Sequence, residues 1–181
     1  MSTIRSIKVA FCLLSLVFFS CTEHPKKTEK AVPSAELTEQ ALIKTNKYLV
    51  RSEEENINDF LRRYQWKMQS SGTGLRYLIE TDNTGRKAEY GDIVALEYTA
   101  KLLNGEIVKS SETHGLLKFS VGKGGVEAGL EEGVKMLRTG DRAKFIVPSH
   151  LAFGLLGDGK TIPPKATLVY EVKLLEIGDA R

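Results

Sequence analysis

EEGVKMLRTGDRAKF, residues 131–145, followed by IPPKATLVYEVKLLEI, residues 162–177, decides how this chain folds. With the residues just before it, the first stretch places Val126, Leu130, Val134 and Leu137 on one helical face. It then turns into the strand RAKFIV, Arg142 to Val147. The second stretch carries another strand from Thr167 to Ile177. Working outward, Leu75 to Glu80 (LRYLIE) alternates and Thr81 to Gly85 reads as a turn. Asp92 to Leu103 (DIVALEYTAKLL) is a long strand, and Asn104-Gly105 is a hairpin signal before Ile107-Val108. Leu117 to Val121 alternates again. The sum is an α+β layout, an antiparallel sheet with one helix lying across it.

Smaller signatures fall in order along the same span. They are Tyr98-Thr99, Gly105, Gly122-Lys123, Glu131-Glu132-Gly133, Gly140, Arg142-Ala143-Lys144, Pro148, Ala152-Phe153-Gly154, Ile162-Pro163-Pro164 and Ala166-Thr167-Leu168. In this order and spacing, residues 74–178 resemble the FK506-binding (FKBP) type of peptidyl-prolyl cis-trans isomerase. The resemblance implies a twisted sheet wrapped on one helix and an apolar pocket that takes proline-containing polypeptides. It implies catalytic positions at Tyr98, Phe153, Ile162 and Tyr170. It implies substrate contacts at Val108, Leu117, Val126, Glu127 and Leu130, with the backbone amide of Glu127 meeting a substrate carbonyl. No cofactor and no metal are implied.

The pocket departs from the family pattern at several positions. Val108-Lys109 replaces Phe-Asp before Ser110-Ser111, so Lys109 reverses the rim charge. Leu130 stands where the family has tryptophan, Phe153 where it has tyrosine, and Glu127 and Thr161 where it has aliphatic residues. The loop LLGDGK, residues 155–160, differs as well. Weakened isomerase activity is the expectation. The alternative is a chaperone or scaffold that kept the fold and binds partner proteins.

The amino-terminal third reads differently. Arg5 and Lys8 precede the apolar run VAFCLLSLVFF, residues 9–19, which is shorter than the ~20 residues a helix needs to cross a bilayer. Ser20, Cys21 and a polar stretch follow. Residues 1–20 therefore resemble a bacterial lipoprotein signal, with Cys21 as the acylated residue; an ordinary signal with a chance cysteine is the other reading. The expected location is the cell envelope, lipid-anchored on the periplasmic side or at the outer membrane. Residues 21–35 contain almost nothing to bury and read as a tether.

Residues 36–71 read as an amphipathic helix, with Ile57, Phe60, Leu61, Tyr64 and Met68 in helical spacing. Ser52 and Glu55 could cap a second helix there, or the helix runs unbroken. Its apolar stripe either packs on its own domain or forms a homodimer. The layout, with NKYLVRSEEENINDFLRRYQW at residues 46–66, resembles the gliding-motility-associated isomerases and related exported lipoproteins of Bacteroidetes. The 26 basic and 23 acidic side chains nearly balance, and no basic stripe is interleaved with aromatics, so nothing points to nucleic acid. His24, His114 and His150 are isolated, and both cysteines, Cys12 and Cys21, lie in the first 21 residues.

Overall fold

A computed structural model describes residues 35–81 and 83–178. The expected signal, the lipidated Cys21 and all but the last residue of the tether lie outside the described residues. The chain divides into two compact units, residues 1–41 and 42–181. Of the first, only the opening turns of a helix are described, and the rest concerns the second.

That helix, α1, runs unbroken over Ala35–Tyr64. The sheet strands follow as β1 (Gln69–Ser70), β2 (Arg76–Ile79), β3 (Ile93–Leu102) and β4 (Ile107–Ser110), then β5 (Leu117–Ser120), β6 (Arg142–Val147) and β7 (Leu168–Gly178). Between them lie a one-turn helix α2 (Ser111–His114), the helix α3 (Ala128–Val134) and a 3-10 turn (Ser149–Leu151). All pairings are antiparallel, in the order β1-β2-β6-β7-β3-β4. β3 is long enough to serve two partners on one edge: β5 along Ile93–Leu96 and β4 along Thr99–Lys101.

Strand alternation sorts the two faces of the sheet. Phe145 and Tyr170 are cross-strand partners and are buried in the main core under α3, with Leu96, Tyr98, Leu130 and Val134. Their sequence neighbours Ile146 and Val169, also cross-strand partners, face the other way and meet Ile57 and Phe60 of α1. The helix thus packs on its own sheet through its carboxy-terminal half. Leu42, Ile43, Tyr48 and Val50, further up, are exposed.

Two glycines let α3 lie close to the sheet. A methyl group on Gly129 would fall 2.5 Å from Val147, and one on Gly133 would fall 2.7 Å from the Phe145 ring. At the start of β6, the buried carboxylate of Asp141 accepts the backbone N–H groups of Asn83 (2.7 Å) and Arg138 (2.8 Å).

The helix stops at Tyr64, short of the expected residue 71. Gln65 takes a left-handed backbone (φ 54°). Its N–H reaches the Arg62 carbonyl (3.4 Å), and the Trp66 N–H reaches that of Leu61 (3.1 Å), a Schellman cap. Trp66 folds back edge-on to Phe60, with ring centroids 5.4 Å apart. Met68 reaches the same small core from the connection and not from the helix.

Candidate active site

A cavity of about 580 Å³ opens between the sheet, α3 and the loops around them. Each wall is delivered by a different element. β3 supplies Tyr98, which is held from behind by Ser111: the Tyr98 N–H donates to the Ser111 hydroxyl and that hydroxyl lies equally close to the Tyr98 carbonyl, both at 3.2 Å. β7 supplies Tyr170, fixed between Ala100 and Phe145 by ladder pairing on both sides. The approach to α3 supplies Gly125, Val126 and Glu127. The segment after the 3-10 turn supplies Ala152 and Phe153, and the α2–β5 connection supplies His114, Gly115, Leu116 and Leu117.

Phe153 sits on a wound segment. The N–H groups of Ala152 (3.0 Å) and Gly154 (2.7 Å), on either side of it, both donate to the Ser149 carbonyl. The ammonium of Lys109 lies 4.9 Å from the Phe153 ring centroid, a cation–π distance.

The two tyrosines share a carboxylate neighbour. Burial pushes the Tyr98 phenol above its ordinary pKa, and the charge of Glu127 adds to the effect. Burial raises the Tyr170 phenol far more, reinforced by the charge of Glu127 and by the hydrogen bond between them. Tyr170 is 2% exposed and Tyr98 7%, so both phenols stay neutral donors at any ordinary pH.

Of the nine residues expected at the site, Tyr98, Leu117, Val126, Glu127, Phe153 and Tyr170 come together on the cavity wall. Val108, Leu130 and Ile162 do not line it. They are 8%, 0% and 3% exposed and belong to the core behind. The reason at Val108 is strand alternation, which turns its neighbour Lys109 toward the cavity instead. Leu130 lies in α3, closed over by the core on all sides.

Ile162 is set by a clamp at Asp158. One oxygen of that carboxylate accepts the N–H groups of Ile162 (2.7 Å), Lys160 (2.9 Å) and Thr161 (2.9 Å). These donors, that of Ile162 foremost, hold the Asp158 carboxyl at a pKa of about 2. His114, Gly115, Leu116, Gly125 and Ala152 are lining residues that sequence reasoning missed. Gly115 (φ 77°) and Gly125 (φ 98°) carried a local signal, a backbone turn that favours glycine, and Ala152 stood beside Phe153 in its signature.

The arrangement offers an apolar trough with buried phenols and main-chain groups, and a rim that carries Lys109 and His114. A concave wall of this kind can desolvate and orient what it binds.

Comparison with known proteins agrees with this geometry. The family description FKBP-type peptidyl-prolyl cis-trans isomerase matches residues 84–175. A probable FKBP-type peptidyl-prolyl cis-trans isomerase FkpA of Neisseria meningitidis is 38% identical over 112 residues, covering 61% of this chain and 40% of the relative. FK506-binding protein 2 of Yarrowia lipolytica is 34% identical over 112 residues, covering 61% of this chain and 78% of the relative. The crystal structure of FkpA from Escherichia coli matches with a TM-score of 0.64 and 30% identity, over 81% of this chain and 68% of that one.

Proposed function

We propose, given that the chain belongs to the FKBP-type peptidyl-prolyl cis-trans isomerase family, that its cavity accelerates Xaa-Pro isomerisation in polypeptides. The observation that carries this reading is the trough of Tyr98, Val126, Phe153 and Tyr170, each presented by a separate element. An Xaa-Pro bond isomerises over tens to hundreds of seconds because amide resonance raises a barrier of ~18–20 kcal/mol. At the barrier the amide is twisted and less polar. Moving its carbonyl out of water therefore penalises the planar ground state more than the twisted one, and each 1.36 kcal/mol of difference is about tenfold in rate. Tyr98, Val126, Phe153 and Tyr170 would exclude the water. The backbone amide of Glu127 would hold a carbonyl next to the proline.

The activity is proposed to be weaker than that of family members with the usual pocket. Lys109 and Glu127 bring charge to the wall and His114 a polar ring, and Leu130 leaves a tryptophan's worth of apolar surface out of it. The same features support a second reading, a module that binds partner proteins with little catalysis. Proline-limited refolding of a test protein separates them. Acceleration that Phe153→Ala lowers at least ~tenfold fits the enzyme, and binding without acceleration fits the module.

The proposed setting is the cell envelope, with the chain anchored through acylated Cys21 and acting on exported proteins. Several acyl chains would hold it stably, since each buried CH2 adds ~0.8 kcal/mol. A homodimer through α1 is also proposed, supported by the exposure of Leu42, Ile43, Tyr48 and Val50 at 59%, 60%, 70% and 62%. Sedimentation with and without residues 36–70 tests it.

A further inference from the structure

Glu53 of α1 reaches the supports of the cavity from the far side of the sheet. Its carboxylate accepts the Ser149 N–H (2.6 Å), the Ser149 hydroxyl (3.0 Å) and the Thr167 hydroxyl (2.6 Å). Ser149 and Thr167 are themselves buried. Ser149 follows β6, where the chain leaves the sheet, and Thr167 precedes β7, where it returns. The segment between them carries Phe153 and Ile162, and Tyr170 follows three residues after Thr167.

The connection to Phe153 is short. Glu53 fixes Ser149 by its N–H and hydroxyl, and the Ser149 carbonyl accepts the N–H groups of Ala152 and Gly154 on either side of Phe153. The Gly154 carbonyl accepts the Lys165 N–H (3.0 Å), which ties the two ends of the segment together. One carboxylate, 96 residues from Ser149 and 114 from Thr167 in sequence, therefore sits at the root of both ends.

Holding α1 on the sheet does not need this group. Ile57 and Phe60 already supply apolar burial against Ile146 and Val169. Apolar contact is not directional, whereas three hydrogen bonds to one carboxylate fix distance and angle. Taking a carboxylate partly out of water costs free energy that those bonds mainly offset, so their return is placement more than stability.

We propose that Glu53 is a positioning residue of the isomerase site, setting the placement of Phe153 through Ser149 and Thr167. Helix α1 is then part of the site's framework as well as its link to residues upstream. The inference rests on the isomerase reading of the cavity.

The test uses the full chain and two readouts: kcat/KM on an Xaa-Pro peptide, and backbone amide exchange at Ala152 and Gly154. Glu53→Ala is expected to lower kcat/KM about tenfold, since small misplacements of a site wall are costly in rate, and to speed exchange at both amides. Glu53→Gln keeps an acceptor for the Ser149 N–H and is expected to stay within about threefold of the parent. Ile57→Val, a packing change on the same helix, is expected to lower Tm while leaving kcat/KM unchanged. Glu53→Ala with parental kcat/KM and parental exchange overturns the proposal, as does Ile57→Val losing as much activity as Glu53→Ala. Should Glu53→Ala fail to fold, Thr167→Val decides: a severalfold fall in kcat/KM with faster Gly154 exchange supports the proposal, and no change in either overturns it. A parent chain without isomerase activity refutes the isomerase reading, and the exchange arm then judges the Glu53 linkage separately.

Discussion

At the scale of single residues, two groups give the fold's stability a pH signature. Asp158 has its carboxyl pKa lowered from 3.8 to about 2 by the N–H groups of Ile162, Lys160 and Thr161. A depressed folded pKa stabilises above the unfolded value and loses that contribution as pH falls through the folded one. Stability from the Ile162 clamp is therefore full above about pH 4 and gone below about pH 2. Asp158→Asn is expected to lower Tm at neutral pH, with the gap from the parent closing as the pH approaches 2. Thermal melts across that window check it. Tyr170 behaves in the opposite sense. Its phenol is raised from 10.0 by burial and by Glu127, so its contribution is full below pH 10 and is lost as pH rises further. Tyr170→Phe is expected to flatten the alkaline fall in stability, read by the same melts. Tyr98, Phe153 and Tyr170 were legible from sequence because they sit inside ordered motifs. Lys109 was legible as a departure, but its place over the Phe153 ring was not. His114 and Leu116 are brought in by a connection whose path depends on distant pairing between β5 and β3.

At the scale of elements, β2 and β5 could be read from alternation and the β3–β4 hairpin from Asn104-Gly105, whereas β1 lies within residues expected to be helical. The end of α1 could not be read. Its cap uses Gln65 in a conformation that normally selects glycine, while Gly72, which looks like a stop signal, lies beyond β1. A non-glycine residue there costs about 1 kcal/mol, so Gln65→Gly is expected to stabilise the protein by about that amount in chemical denaturation. An unchanged or lower midpoint would show that the Gln65 side chain compensates. The fit of α3 against the sheet makes the reverse case. Gly133→Ala gains helix propensity of up to ~1 kcal/mol, but its methyl group meets the Phe145 ring at 2.7 Å. Overpacking of that kind costs about 1–3 kcal/mol, so a net loss of stability is expected.

For residues 42–181 taken together, the sequence left open whether the α1 stripe covers its own domain or a second copy. Ile57 and Phe60 answer for the lower half of the helix, packed on Ile146 and Val169. The choice was invisible in sequence because both uses demand the same helical spacing. β6 and β7 are buried on both faces of the sheet: Ile146 and Val169 under α1, Phe145 and Tyr170 under α3. The central claim is that the trough between these layers acts on proline peptide bonds. Proline-limited refolding of a test protein, with the parent chain and with Phe153→Ala, addresses it most directly. The account predicts acceleration by the parent and a loss of about ten- to a hundredfold in kcat/KM with Phe153→Ala, the scale of ~1–3 kcal/mol for an apolar wall. No acceleration by the parent, or acceleration that Phe153→Ala leaves intact, would contradict it.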